Sequence, residues 1–178
     1  YLNLGTKKFT DISGVSGIDS ITDGRAGVFA DFDNDGDLDV FSTTIQHQAH
    51  LLFRNNVGQD NNFLRIALEG DRKTGLDAFG SIVRVKTSAG TLTKIKSGGS
   101  GFISQHDSRL LFGLGKDQKA EWIEVTWSNG EVEKFPADSA TAGATLILKK
   151  GSGRAQAIAL GRANLPNPLT KAEISRAA

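Results

Sequence analysis

Hydrophobic and polar residues alternate along several short segments of the chain, which is the period-2 pattern of a half-buried β-strand. The clearest segments are residues 64–68, 83–86 and 122–127, where Leu, Ile, Val and Trp occupy every second position. Further short segments at 91–96, 131–135 and 145–148 are rich in β-branched or aromatic residues and are separated by turn residues, including Asn129-Gly130. Regularly spaced short strands predict a compact antiparallel β sandwich or barrel over residues 58–150.

Residues 1–57 have a different organisation. Short strands are predicted at 8–12, 25–30, 38–44 and 50–54, and Asn55-Asn56 begins a turn after the last of them. A few short strands cannot bury both faces of a sheet by themselves. This stretch is therefore interpreted as one unit of a repeat architecture, an incomplete propeller, whose neighbouring units are missing. Contacts to those neighbouring repeats are expected.

Residues 151–178 are predicted to be a tail. Gly151-Ser152-Gly153 is linker-like, and Thr170 with Glu173 three residues later forms a capping-box pattern for a short helix at 170–177. The predicted fold class is therefore all-β: a propeller-type blade with a strand–calcium loop–strand unit, a β sandwich or barrel, and a tail that is helical at most.

Composition narrows the function classes. The 178 residues include 21 Gly and neither Cys nor Met, and the chain opens at Tyr1, so we expect a fragment or processed form of a longer protein without disulfides. No apolar run reaches the length of about 18 residues that spans a membrane, so no membrane insertion is expected. The net charge of +1 divides into −4 for residues 1–57 and +5 for the remainder. The basic part interleaves both signs, which argues against nucleic acid as a partner.

The segment 31–39 carries the strongest candidate chemistry, because aspartates occupy every second position around a glycine, Gly36. The five aspartates are Asp31, Asp33, Asp35, Asp37 and Asp39. Such a cluster repels itself without a counter-ion. Calcium accepts six to eight oxygen ligands at about 2.3–2.6 Å, and an Asp-x-Asp-x-Asp-Gly loop supplies oxygens at that spacing. We therefore expect a calcium site, with a solvated acidic turn that binds nothing as the alternative.

Loop position assigns the expected ligand groups: the side chains of Asp31, Asp33, Asp35 and Asp39 and the backbone carbonyl of Asp37. The loop is not an EF-hand, because its twelfth position is serine where an EF-hand has a bidentate Glu, and its flanks predict strands rather than helices. A carboxylate committed to calcium stays ionised, which is the wrong state for the general acid of a glycosidase.

These residues also carry a family resemblance. The run from Gly27 to Val40, Gly-Val-Phe-Ala-Asp-Phe-Asp-Asn-Asp-Gly-Asp-Leu-Asp-Val, resembles an FG-GAP/VCBS repeat, the blade unit of integrin-α-type β-propellers. That resemblance implies calcium binding by the five loop aspartates. Residues 52–56, Leu-Phe-Arg-Asn-Asn, resemble the strand and turn that open the following unit. With one complete calcium loop, this chain cannot close a propeller by itself.

Residues 62–149 resemble an ASPIC/UnbV domain, which follows such repeats in the cartilage acidic protein family and its bacterial relatives. The matching motifs are Ala-Phe-Gly-Ser-Ile-Val at 78–83, Gly-Gly-Ser-Gly-Phe-Ile-Ser-Gln at 98–105, Leu-Phe-Gly-Leu-Gly at 111–115 and Val-Thr-Trp-Ser-Asn-Gly at 125–130. Ser128 stands where the family commonly has Pro. The resemblance implies a secreted, cell-surface or periplasmic protein with an adhesion role.

Within this domain, residues 98–107 form a candidate ligand loop, in which Phe102 offers an apolar face and Ser104, Gln105 and His106 offer hydrogen bonds. The alternative is that the segment folds back into the sheet, with Phe102 and Ile103 on opposite faces. A nucleophile–base reading is disfavoured, because adjacent residues of an extended segment point to opposite sides. Neither Gly-rich segment, 98–101 or 113–116, has P-loop spacing. The two histidines at 47 and 50 are interpreted as ordinary surface residues.

The expected function is therefore a calcium-binding, non-enzymatic recognition or adhesion module of a larger secreted or surface protein, with a glycan or an extracellular protein as ligand. The alternative is an enzyme or enzyme-accessory domain in secondary metabolism, which follows only from the setting in which UnbV-type proteins occur.

Overall fold

The computed structural model of the chain describes residues 1–5, 7–45, 47–57 and 59–163. Helical structure in these ranges consists of α1 (Ser13–Ser16) and a 3-10 helix (Ala137–Ser139), and the remaining regular structure is β. The all-β prediction is confirmed. No helix in the described ranges has both the length and the apolar character needed to cross a membrane.

The first unit contains a three-stranded antiparallel sheet. The strands before residue 58 are β1 (Leu2–Asn3), β2 (Phe9–Thr10), β3 (Gly24–Ala30), β4 (Asp39–Thr44) and β5 (Leu51–Phe53). Strands β3, β4 and β5 pair in chain order, and Ala30 lies opposite Asp39 at the end of the β3–β4 ladder. The aspartate-rich segment is therefore the loop that joins two antiparallel strands, as the flanking β-branched and aromatic residues predict.

The second unit is built from eight strands: β6 (Asn62–Glu69), β7 (Ile82–Thr87), β8 (Gly90–Ile95), β9 (Leu110–Gly115), β10 (Trp122–Thr126), β11 (Val132–Phe135), β12 (Thr145–Lys149) and β13 (Ala155–Ile158). They form two four-stranded sheets with the orders β11-β10-β7-β8 and β13-β12-β6-β9. The Asn-Gly turn predicted at 129–130 joins β10 to β11, and the turn at 88–89 joins β7 to β8.

The inner faces of the two sheets make one hydrophobic core, so this unit is a sandwich. One sheet contributes Val83, Val85, Ile123 and Val125, and each of these side chains is fully buried. The opposite sheet contributes buried residues of β6, β9 and β12: Leu64, Ile66, Leu68, Phe112, Leu114, Leu146 and Leu148. The alternation in the sequence therefore marks the core face correctly, because every second residue of a strand points to the same side.

Two sequence-based expectations are wrong in detail. The unit is not purely antiparallel, because β6 and β12 pair in parallel, with Leu146 opposite Ile66. No short turn links these two strands, which are distant in the sequence. Their relative direction is therefore set by the packing of the sheet, which local sequence patterns do not encode. The tail was expected to contain at most a helix, but it contains strand β13, which pairs antiparallel with β12. Ala and Gln at three of its four positions give it a weak strand signal. The helix predicted at 170–177 lies outside the described residues.

Candidate metal loop and adjoining cleft

The aspartate loop turns through two residues with positive φ and packs directly against the sandwich. Asn34 has φ +60° and Gly36 has φ +102°. A Cβ atom at Gly36 would lie 2.0 Å from the ring of Phe63 at the start of β6. Gly36 is therefore required both by its backbone conformation and by the close approach of Phe63.

Three of the five aspartates converge. Asp31, Asp33 and Asp39 are buried, and each offers a carboxylate oxygen within 4.8 Å of the oxygens offered by the other two. Oxygens that ligate one calcium ion at about 2.3–2.6 Å can lie at most about 5 Å apart. The separation of these carboxylates therefore fits one divalent cation bound between them.

Backbone amides fix the orientation of two of these carboxylates. Asp31 accepts hydrogen bonds from the N–H groups of Asp35 at 3.0 Å and Gly36 at 3.1 Å. Asp39 accepts from Phe32 N–H at 3.0 Å and from Asn55 N–H at 2.8 Å, so it ties the loop to the chain that follows β5. These bonds hold the carboxylates in place without supplying a full counter-charge.

Asp35 and Asp37 are not part of the convergent group. Asp35 accepts a hydrogen bond from Gln59 Nε2 at 2.7 Å, and its carboxylate lies 3.9 Å from the guanidinium of Arg162. Both carboxylate oxygens of Asp37 are buried and have no hydrogen-bond partner within the described part of the chain. Burial, with the nearby charges of Asp35 and Asp39, raises the pKa of Asp37 to about 7. An unpartnered buried carboxylate beside three others is an arrangement that a cation would stabilise.

Arg65 is the main residue at this site that the sequence did not reveal. It lies on β6, where the alternating pattern places it on the polar face, yet it is only 2% exposed. Its Nη1 donates to Asp31 Oδ2 at 2.9 Å and to Asn34 Oδ1 at 2.7 Å. Burial raises the pKa of Asp31, and the Arg65 charge offsets only part of that effect. This ion pair joins the sandwich to the aspartate loop.

A second connection runs through Arg109 and the residues before it. The Arg109 guanidinium holds Asp107 with three hydrogen bonds of 2.6–3.0 Å, and it also donates to Asn34 Oδ1 and to the Asp31 carbonyl. Asp107 N–H donates to the carbonyl of Phe29 at 2.9 Å, and Phe29 N–H donates to His106 Nδ1 at 3.2 Å. The end of the candidate ligand loop is therefore docked on the edge of β3.

The rest of the candidate ligand loop lies at the surface. Phe102 and Ile103 are 62% and 90% exposed, so the alternative that they are divided between two faces of the sheet is wrong. The Ser104 hydroxyl donates to the Ser100 carbonyl rather than to His106, so the loop contains no nucleophile–base pair. Gln105 is exposed.

The two histidines outside this loop lie in different environments. His50 Nδ1 accepts from Thr44 N–H at 3.1 Å, and the imidazole lies edge-on to Phe41 at 6.0 Å between ring centroids. His47 has a positive φ of 71° and is exposed. The hydrogen bond of His50 therefore ties together the two ends of the β4–β5 connection, and the interpretation of both histidines as ordinary surface residues stays a prediction.

A cleft of about 250 Å³ lies where the ligand loop, β8, β9 and β3 meet. Its charged and polar lining includes Lys94, Lys96, Gln105, His106, Asp107 and Arg109, and its apolar lining includes Phe29, Leu38, Ile95, Leu110 and Leu111. The structure thus brings Gln105 and His106 of the candidate loop to a concave site. Lys94 lies on β8 and Lys96 directly follows that strand, and nothing in the sequence distinguished either from a surface residue.

Comparison with known proteins supports the family resemblance of the second unit of the chain. Residues 70–155 match the model of the family described as ASPIC and UnbV. Cartilage acidic protein 1 of Homo sapiens is 37% identical over 114 residues, and the protein of the same name from Xenopus tropicalis is 37% identical over 112 residues. Each alignment covers 61% of this chain but only 16–17% of the relative, so the matched part spans about a sixth of these curated proteins.

A crystal structure of a candidate cell adhesion protein from Bacteroides uniformis covers 74% of this chain and 63% of that protein, with 13% identity and a TM-score of 0.32. A TM-score at this level does not establish a shared fold. The resemblance of the first unit to an FG-GAP/VCBS repeat stays a prediction, whereas the resemblance of the second is supported, because residues 70–155 match the model of the ASPIC and UnbV family.

Proposed function

We propose that this chain is a calcium-stabilised, non-enzymatic recognition module of a larger extracellular protein. The observation that carries the proposal is the convergence of three buried carboxylates, those of Asp31, Asp33 and Asp39, at the contact between the two units. Like charges buried together destabilise a fold unless a cation offsets them. Arg65 supplies one positive charge to this group, and a divalent ion would supply two more.

Calcium is the cation that suits this donor set. Asp31, Asp33 and Asp39 would hold it, and Asp35 and the Asp37 carbonyl are the further ligands that loop position predicts. All of these donors are oxygens, and no thiolate is available in the chain. The expected dissociation constant is on the order of 10⁻⁴–10⁻³ M, which is typical of extracellular modules.

The proposed role of the metal is to hold the recognition cleft together. The cleft walls come from both units, because Phe29 and Leu38 belong to the blade whereas β8, β9 and the ligand loop belong to the sandwich. Arg109 joins these walls through its contacts with Asp107, Asn34 and the carbonyl of Asp31. A cation that orders Asp31 would therefore also order the cleft, whose ligand would be a glycan or an extracellular protein.

The hydrogen bonds of three residues favour recognition over catalysis at this cleft. Ser104 donates to a backbone carbonyl instead of to an imidazole, and the His106 Nδ1 atom accepts the N–H of Phe29. Asp107 accepts hydrogen bonds from Arg109 on both carboxylate oxygens. The polar groups of this cleft are thus arranged as fixed hydrogen-bonding partners.

Membership in a larger extracellular protein is supported by the surface of the first unit. Tyr1, Val15 and Ile21 are 84%, 85% and 106% exposed, which suits burial against further repeats. The curated relatives are much longer than the matched segment and are named for cartilage, a tissue whose matrix is extracellular. These features agree with an incomplete propeller that packs on neighbouring blades.

The proposal is tested by calorimetric titration of the whole chain with calcium. The expected result is one site with a millimolar or submillimolar dissociation constant, lost in Asp33→Ala. The matched control is Asp60→Ala, which removes an exposed aspartate outside the loop and leaves calcium binding unchanged. Absence of a calcium-dependent heat in the wild-type chain, or equal loss in both variants, would contradict the proposal.

A further inference from the structure

The cleft at the junction of the two units carries excess positive charge. Three cations line it, Lys94, Lys96 and Arg109, together with one carboxylate, Asp107. Arg109 and Asp107 neutralise each other through a 2.6 Å ion pair. The two lysine ammonium groups are therefore the charges left over at this site.

Lys96 is a buried cation with incomplete partners. The residue is 5% exposed, its Nζ donates to the Ser108 carbonyl, and Nζ lies 5.8 Å from the ring centroid of Phe79. Among the residues that the structure describes, no carboxylate lies within 4.0 Å of this ammonium. An ammonium has three donors, so two remain for a ligand. Burial lowers the pKa of Lys96, and the nearby charges of Asp77 and Asp107 offset only part of that effect.

Lys94, on β8, adds a second cation two residues before Lys96. It lies opposite Val83 of β7 in the strand register, and cross-strand partners share a face, so its side chain leaves β8 on the core face of the sheet. Its Nζ is 5.9 Å from the ring centroid of Phe112 on the facing sheet, and within the described ranges it forms no ion pair. The sandwich is thus open between β8 and β9, and a lysine lies at that opening.

The remaining lining suits a saccharide. Gln105 offers a side-chain amide, and the neutral His106 ring carries its proton on Nε2, because Nδ1 accepts the N–H of Phe29. Phe29 is 43% exposed and offers an apolar surface beside them. Hydroxyl groups bond to amide and imidazole groups, while the C–H face of a sugar ring packs on an aromatic ring. The volume of about 250 Å³ lies slightly below the range of about 300–1,000 Å³ for small-molecule pockets, which favours one sugar unit over an extended peptide.

We propose that this cleft binds the anionic group of an acidic sugar unit, a carboxylate or a sulfate ester, through Lys94 and Lys96. The inference rests on the proposed recognition function and names the ligand class of that site. Calcium in the aspartate loop would strengthen binding, because Arg109 links the loop to the cleft and because the ion offsets the negative charge of the loop.

The test is an NMR titration of the whole chain, with saturating calcium, against glucuronate, glucose 6-sulfate, glucose and a tetraglutamate peptide. An anionic sugar should bind at least about 10-fold more tightly than glucose, since a hydrogen bond to a charged group is among the strong ones. Lys94→Gln should weaken that binding about 5- to 10-fold. Lys134→Gln, which removes an exposed lysine on β11, is the matched control and should change nothing.

Each outcome decides the proposal. Glucuronate and glucose 6-sulfate distinguish the carboxylate from the sulfate source. The proposal would be overturned if glucose and both acidic sugars bound with equal affinity, or if no resonance of a cleft residue shifted. It would also be overturned if the two lysine variants had equal effects on binding. Binding of the peptide alone would overturn the assignment of a saccharide ligand. Calcium binding measured on the same samples separates the two proposals: a chain that binds calcium but no acidic sugar keeps the proposed function and loses this inference.

Discussion

Gly36 is the residue at which the aspartate loop packs most closely on the sandwich. Its φ of +102° is costly for any residue with a side chain, and the Phe63 ring occupies the space of a Cβ atom. Gly36→Ala should therefore reduce the free energy of unfolding by on the order of 2 kcal/mol. Urea denaturation measures this change.

The matched control is Gly27→Ala in β3, where an added Cβ meets nothing within 4 Å and φ is not positive. This variant should be neutral or slightly stabilising, because alanine restricts the unfolded chain. A Gly36→Ala protein as stable as the Gly27→Ala protein would show that the loop does not pack on Phe63.

Asp71 provides a prediction on pH. Hydrogen bonds from the backbone N–H of Thr74, with further bonds from Lys150 and Lys73, lower the pKa of Asp71 below its ordinary value of 3.8. A carboxyl group whose pKa is lower in the folded state stabilises the fold above pH 3.8, and that stabilisation is lost as the pH falls. Asp71→Asn should therefore lower the melting temperature at pH 7, and the difference from the wild type should shrink below pH 3.8.

Asp60→Asn is the control for this titration, because Asp60 is exposed and outside the turn. It should leave the melting temperature unchanged at both pH values. A deficit in Asp71→Asn that stays constant from pH 7 to acid would indicate lost packing instead of a lost ionised hydrogen-bond acceptor.

At the scale of elements, β6 is both a core strand and a partner of the metal loop through Arg65. Removing one member of a buried ion pair leaves an uncompensated charge and typically costs about 3–5 kcal/mol. Arg65→Met should therefore destabilise the calcium-free protein by about this amount, and saturating calcium should reduce the loss because the ion offsets the charge of Asp31. Chemical denaturation with calcium and with chelator measures both values.

Arg84→Met on β7 is the matched control, since Arg84 forms an ion pair with Glu124 at 3.4 Å in which both side chains are partly exposed. An exposed pair contributes about 1 kcal/mol or less, and calcium should not change that value. If calcium altered the Arg84→Met and Arg65→Met proteins equally, the assignment of Arg65 to the metal loop would be wrong.

The sequence predicted most strands because their residues alternate strictly. Val83 with Val85 and Ile123 with Val125 occupy the core face as expected. The pattern failed for Arg65, which looked solvent-exposed because its burial depends on Asp31, 34 residues earlier in the chain. The parallel pairing of β6 with β12 also depends on distant residues, and no local signal encodes it.

In the molecule as a whole, the aspartate loop is the point at which the two units meet. Chelation should reduce amide protection most in residues 24–57 and, through Phe63, Arg65 and Arg109, at the adjoining ends of β6 and β9. The core strands β7 and β10 should keep their protection. Hydrogen exchange with and without chelator tests this, and a uniform loss over both units would contradict the division at residue 57.

The candidate site was predictable only in part for a similar reason. Alternating aspartates around Gly36 indicate a metal loop from spacing alone, and the structure brings Asp31, Asp33 and Asp39 together. The cleft is assembled from Phe29, β8 and the loop before Arg109, segments that are far apart in the chain. Lys96 is therefore indistinguishable by sequence from a solvated lysine, and only its burial singles it out.

The central claim is that calcium binds the folded chain and stabilises it through the aspartate loop. The most direct measurement is the free energy of unfolding of the whole chain as a function of calcium concentration. A ligand that binds only the folded state stabilises it by about 2.7 kcal/mol at a hundredfold excess over its dissociation constant. Calcium should produce a gain of this size in the wild type and none in Asp33→Ala. An unfolding free energy that does not change with calcium in the wild type would contradict the account.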